Sequence, residues 1–217
     1  MFEYPKMKTL FKLEPLGLNG KKWDATNGEI LADTSALHFL PIESLVFHEK
    51  IDGTNMGIQI DSGKVAHVQS RNKICVPGSQ DQYYFEILEG IQERLEDIFK
   101  TQDVVIYGEL SGPKIQKGGN YFKERHFLVF DILDLAEHKF FRWDAVAYFC
   151  DQLGLETVPT ITYTYPNLSV GNVRSFVQEL RSVYNPNHPA EGIVIRYKDD
   201  TTVEKRWQAK IRRSDFK

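Results

Sequence analysis

The chain has 217 residues, 41% of them hydrophobic, and a formal net charge of −3, which suits a folded globular protein and excludes a global basic footprint for nucleic acid. Its start, MFEYPKMKTLFKLEP, carries charge throughout, so no signal peptide is expected, and no apolar run approaches the ~20 residues of a membrane span. The two cysteines, Cys75 and Cys150, form neither a disulfide framework nor a metal-ligand pattern, so a reduced, cytosolic setting is expected.

The first forty residues are punctuated by Pro5, Pro15, Gly17, Gly20, Gly28 and Pro41, and little regular structure is expected there. Strand-like runs follow at Leu45–Lys50, Met56–Asp61 and Lys64–Arg71. Asp52-Gly53-Thr54-Asn55 and Asp61-Ser62-Gly63 separate them, and together they predict an antiparallel meander. From Gln82 to Lys100, Phe85, Leu88, Ile91, Leu95 and Ile98 recur at helical spacing, with Ser79 and Gln82 resembling a capping box. Strands are predicted at Val104–Ser111 and His126–Leu133, then a helix over Arg142–Leu153 with Gly154 as its left-handed cap. A third helix is predicted over Asn172–Tyr184 and two last strands over Gly192–Lys198 and Arg206–Arg212. Runs of strands with interspersed helices favour an antiparallel α+β fold over a doubly wound one.

Chemistry enters at Glu49-Lys50-Ile51-Asp52-Gly53-Thr54-Asn55, where a lysine closes a strand and a turn rich in Asp, Gly and Asn follows. Alone, this reads equally well as an ordinary hairpin with a lysine beside it. Further segments follow in fixed order: Ser70-Arg71, Tyr107-Gly108-Glu109-Leu110 and Phe127-Leu128-Val129-Phe130-Asp131-Ile132. Glu191-Gly192-Ile193-Val194-Ile195-Arg196 and Lys210-Ile211-Arg212 complete the set. The series resembles motifs I, Ia, III, IIIa, IV and V of the covalent nucleotidyltransferases, a superfamily of DNA ligases, RNA ligases and mRNA capping enzymes. Asn55 stands where DNA ligases usually carry arginine, and Lys-x-Asp-Gly-Thr-Asn is similar to the RNA ligase 2-like branch. Capping enzymes need a motif VI on a C-terminal OB domain, and this chain ends seven residues after Lys210. Tyr4-Pro5-Lys6 with Leu10-Phe11 resembles short phage and bacterial members of the same branch.

The resemblance implies a nucleotidyltransferase core, ATP-grasp-like, of mainly antiparallel sheets flanked by helices, with ATP in the groove between them and no C-terminal OB domain. Residues 1–217 are expected to form a single adenylyltransferase domain, with residues 1–44 packed on it. Lys50 is then the nucleophile that takes AMP from ATP. An ordinary lysine has a pKa of ~10.4, so freeing its amine at neutral pH costs roughly 4–5 kcal/mol, which the site must lower.

The same resemblance gives Glu49 a contact to adenine, Asn55 a hydrogen bond to the nucleotide, and Arg71 the ribose and phosphates. Glu109 accepts from the ribose hydroxyl, and Phe127 stacks on the adenine. Glu191 helps bind Mg2+ or Mn2+, for which a hard carboxylate oxygen is suited. Lys210 and Arg212 hold the α-phosphate as pyrophosphate leaves; the family pattern has two lysines, so Arg212 keeps the charge and changes the donor geometry. The implied partners are RNA ends with a 5′-phosphate and a 3′-hydroxyl, with no membrane and no obligate protein partner, in bacterial or phage-infected host cytosol. The rival readings are a small DNA ligase and a catalytically idle nucleotide- or RNA-end-binding module. Two basic features stand outside the motifs: a late cluster of Lys205, Arg206, Lys210, Arg212, Arg213 and Lys217, and a loop over Gly112–Asn120. That loop is expected to be flexible, as an RNA contact, a lid or a plain connection. The six histidines show no metal spacing.

Overall fold

The structure, a computed structural model, describes residues 1–16, 22–25, 28–30, 37, 39–79, 81–204 and 206–216. Gly17, Gly20, Lys205 and Lys217, singled out above as turn signals and basic-cluster members, lie outside the described residues. Two compact units form, each from separate stretches of chain: Met1–Pro5, Asp52–Val158 and Thr201–Glu204 in the first, Lys6–Ile51, Pro159–Asp200 and Lys205–Lys217 in the second.

In chain order the strands are β1 (Lys8–Thr9), β2 (Glu14–Leu16), β3 (Lys22–Asp24), β4 (Leu45–Lys50), β5 (Thr54–Asp61) and β6 (Lys64–Ser70). They continue with β7 (Val104–Ser111), β8 (His126–Asp134), β9 (Lys139–Phe140), β10 (Glu156–Thr157), β11 (Gly192–Tyr197) and β12 (Gln208–Arg212). The α-helices whose bounds are described are α1 (Gln92–Ile98), α2 (Trp143–Leu153) and α3 (Val170–Glu179). No helix among the described residues is long and apolar enough to cross a membrane. The result is the mixed α+β pattern with mainly antiparallel sheets that the sequence predicts, with parallel pairing confined to β1–β12 and β8–β10 among the described residues.

The predicted meander is split. β5 and β6 pair as a hairpin in the first unit, whereas β4 pairs with β11 in the second. Asp52-Gly53 does not fold the chain back on β4, because the segment runs on against β7. A Cβ on Gly53 would lie 2.4 Å from the Leu110 carbonyl oxygen, so only glycine passes there.

The first unit is built on the order β10-β8-β7-β5-β6, with β9 alongside β8. Met56, Ile58, Ile60, Val104, Ile106 and Leu110 alternate onto one face and bury against Leu95, Phe99, Val146 and Cys150. A bulge sits in β8, since Tyr107 pairs with Asp131 and Gly108 with Val129, skipping Phe130. Phe130 and Asp131 both meet Tyr4, whose ring lies 4.9 Å from Phe130 and whose hydroxyl donates to Asp131 at 2.5 Å. Ile132 then returns to the core.

The helix predicted over Gln82–Lys100 is shorter. Two 3-10 turns, Gln82–Tyr84 and Glu86–Leu88, precede α1, and Gly90 at φ 81° interrupts the run. The Ser79 hydroxyl accepts from the Asp81 N–H and the Gln82 side chain from the Gly78 N–H, so these residues close a turn and make no capping box. α2 ends at Gly154 in the left-handed conformation, as predicted. α3 starts two residues early at the N-cap Ser169, whose hydroxyl accepts from Asn172, and it ends where Leu180 turns extended.

In the second unit the order β1-β12-β11-β4 presents two different faces. Phe47, Ile193, Ile195, Ala209 and Ile211 cover a core with Val173 and Val177 of α3. By alternation the opposite face carries Val46, His48 and Lys50 on β4, Gly192, Val194 and Arg196 on β11, and Gln208, Lys210 and Arg212 on β12.

The close approach of Phe127 to Gly108 offers a check on this packing. A Cβ on Gly108 would meet the Phe127 ring at 2.4 Å and the Leu128 carbonyl oxygen at 2.7 Å. Gly108→Ala is expected to cost about 1–3 kcal/mol through forced displacement of both, read as a lowered Tm.

Candidate active site

Register places the chemistry. Gly192 pairs with Lys50 on one side and with Arg212 on the other, so these three form one row across the sheet. His48, Val194 and Lys210 form the next row. Gly192 is required here, because a Cβ would stand 2.0 Å from the Ile211 carbonyl oxygen. Glu191, immediately before it, is thereby brought beside Lys50 from 141 residues away. The Lys50 amine donates to Glu191 Oε2 at 2.6 Å, with the two side chains 22% and 25% exposed.

Arg212 is held rather than loose. Its Nε donates to Asp215 Oδ1 at 3.0 Å, a second guanidinium nitrogen lies 2.9 Å from the same oxygen, and its backbone N–H donates to Asp215 Oδ2 at 2.8 Å. Asp215 is 3% exposed, so a buried carboxylate fixes one plane of the guanidinium fork. Sequence reading missed Asp215; its signal was an acid three residues after the last motif arginine. Lys210 lies two residues before Arg212 on the same sheet face, half-exposed.

Glu49 lies on the other face of β4. Its side chain is 1% exposed, and Oε2 accepts from the Val183 N–H at 2.8 Å, while Oε1 is buried without a hydrogen-bond partner. Burial pushes this carboxyl above its ordinary 4.5, partly offset by hydrogen bonds from Val183 and Ser182. His48, buried on the Lys50 face, is pushed well below its ordinary 6.5 by burial, with the Arg196 charge adding to the effect. It is a neutral imidazole at physiological pH, beside cations. Reading the histidines by metal spacing alone gave no sign of this.

The remaining sequence-predicted residues belong to the first unit. Asn55 on β5 and Glu109 on β7 are paired in register, and Glu109 is half-exposed on the face opposite the apolar core. Arg71 is exposed just beyond the end of β6. Phe127 pairs with Leu110, and its ring packs over Gly108 in the core, 4% exposed. Pairing of Glu109 with Leu128 sets Glu109 and Phe127 on opposite sheet faces.

No group of three or more His, Cys, Asp and Glu that could hold a metal occurs among the described residues. Glu191 offers one hard carboxylate. That suits Mg2+ or Mn2+, which bind through one or two carboxylates when phosphate oxygens and water complete the shell.

The family model for RNA ligase matches residues 43–212, a span that contains Glu49, Lys50, Glu109, Glu191, Lys210 and Arg212. The chain belongs to the RNA ligase family. Its fold is similar to solved structures of the Naegleria gruberi RNA ligase. A point mutant with ATP and Mn matches at a TM-score of 0.71 and 15% identity, over 97% of this chain and 56% of that one. An apo mutant matches at 0.68 and 16%, over 98% and 57%. Another mutant with ATP and Mn matches at 0.64 and 19%, over 77% and 48%. This RNA ligase family chain thus spans about half the length of those proteins. A comparison with curated proteins finds no match.

Glu49 gives a test of its own. With its folded pKa raised, the native state binds the proton more tightly than the unfolded chain, so stability falls as pH rises above about 4.5 through the folded value. Glu49→Gln removes that charge. The variant is expected to melt higher than wild type at pH 7, with the difference shrinking toward zero below pH 4.5, in paired thermal melts.

Proposed function

We propose that the chain is an ATP-dependent RNA ligase working through a lysyl-AMP intermediate on Lys50, in RNA repair or end joining. The observation that carries this reading is the row Lys50–Gly192–Arg212, with Glu191 on the amine at 2.6 Å. It supports a nucleophile, a carboxylate and oriented cations on a single sheet face.

The Lys50 amine attacks the α-phosphorus of ATP, forming a phosphoramidate as pyrophosphate leaves. AMP then passes to an RNA 5′-phosphate, and an RNA 3′-hydroxyl attacks that phosphate as AMP departs. The Glu191 carboxylate fixes the position of the Lys50 amine. Lys210 and Arg212 take the charge building on the phosphates. Glu191 would hold a divalent cation, which would supply further positive charge to the phosphate oxygens.

Glu49 Oε1, buried and lacking a donor, suits an adenine exocyclic amine. Asn55, Arg71 and Glu109 are proposed for the nucleotide's sugar and phosphates, whereas Phe127, buried in the core on the sheet face opposite Glu109, is not proposed for the base. Buried free Cys75 and Cys150 support a reducing, cytosolic setting.

Incubation with α-labelled ATP and Mg2+ or Mn2+, followed by denaturing electrophoresis, tests this. Wild type retains label, Lys50→Ala retains none, and Glu191→Gln loses at least a hundredfold in labelling rate. An unlabelled wild type overturns the proposal in favour of an idle binding module. Sealing of RNA but not DNA ends sets it apart from a DNA ligase.

A further inference from the structure

We propose that the loop from β7 to β8 is a rigid clamp for the RNA backbone, gripping phosphates of the strand to be sealed through Lys114, Lys117 and Lys123. This rests on the ligase reading above. The loop is residues 112–125, GPKIQKGGNYFKER. Lys114, Lys117, Lys123 and Arg125 against Glu124 give it +3, in a chain of net −3. Arg125 is engaged by Glu86 at 2.8 and 2.9 Å and lies over the Tyr83 ring. The three lysines are exposed and make no ion pair among the described residues.

Contrary to the flexible loop expected from sequence, this segment is anchored. Ile115, Tyr121 and Phe122 are each 7% exposed, and Phe122 stacks on His126 with centroids 4.5 Å apart. The Ile115 N–H donates to the Gly112 carbonyl at 3.1 Å, Gly118 to Ile115 at 2.8 Å and Tyr121 to Gly118 at 2.9 Å. Gly118 packs so closely that a Cβ would sit 2.3 Å from the Gly112 nitrogen.

Two backbone outliers bracket the buried Ile115. Lys114 has φ 68° and Gln116 has φ 45°, left-handed conformations that cost a non-glycine residue about 1–2 kcal/mol. They turn Ile115 into the core and leave Lys114 and Lys117 outside. Strain retained at a lysine, in a loop that already uses three glycines, marks the outward side chain as the feature being presented.

Three separated point charges on an exposed, rigid rim match a chain of phosphates better than one compact triphosphate. The loop is also rooted at the end of β7 that carries Glu109, so RNA held there lies at the end of the first unit proposed for the nucleotide. In a chain of net negative charge, a local patch of this kind is what lets RNA approach at all.

The test is the triple variant Lys114→Gln, Lys117→Gln, Lys123→Gln, with a 5′-phosphorylated RNA oligonucleotide as probe. Binding is measured without ATP across a salt series, and self-labelling is measured separately with ATP. We expect labelling within twofold of wild type and a Kd for RNA raised at least tenfold at low salt. The slope of log K against log salt should flatten by about 2, from roughly 0.7 per single-strand phosphate contact. A triple Lys→Arg variant restores binding. Unchanged RNA affinity and slope overturn the clamp, and so does a parallel loss of labelling, which assigns the loop to the nucleotide or the fold. Because RNA binding is read without ATP, a wild type that fails to self-label sinks the ligase reading while the clamp is still decided.

Discussion

The ion pair between Lys50 and Glu191 is the contact on which the second unit's chemistry turns. An amine held by a carboxylate at 2.6 Å has a fixed position on the sheet face. The same contact therefore orients the amine proposed as the nucleophile. It exists only because β11 runs antiparallel to β4 with Gly192 opposite Lys50. Any side chain at Gly192 collides with the neighbouring strand, so the geometry of the pair and the identity of that glycine are a single constraint.

Alternation in the sheet sorts the polar groups by task. Lys50, Lys210 and Arg212 share one face, while Glu49 is turned to the other and buried with one oxygen lacking a donor. A buried acceptor of that kind costs free energy until a donor arrives, which is the condition under which a site recognises a ligand amine. His48, neutral among cations, adds no further positive charge to the face. Asp215 spends both carboxylate oxygens on Arg212, so an arginine where the family pattern carries lysine comes with its own orienting partner.

The first unit gives the complementary lesson about rigidity. Its β7–β8 connection, rich in glycine and lysine, is pinned by Ile115, Tyr121 and Phe122 and kept in two left-handed conformations. Glycine content signals conformational freedom only where no side chain in the segment has a core to enter.

By itself the sequence determined the α+β class, the strands β4, β7, β8 and β11 to within a residue or two, the Gly154 cap, and the ordered motifs that point to the RNA ligase family. These are local matters: strand periodicity, turn chemistry and residue identity are all written in neighbouring positions. Tertiary structure alone decided that β4 leaves the meander to join β11, that Gly90 breaks the long amphipathic run before α1, and that the β8 bulge lets Asp131 join Phe130 against Tyr4. It also decided that Glu191 meets Lys50, that Asp215 holds Arg212, and that Phe127 packs over Gly108. Each of those depends on which strands pair and in what register, a choice settled by burial summed over the sheet and not by any local stretch of residues.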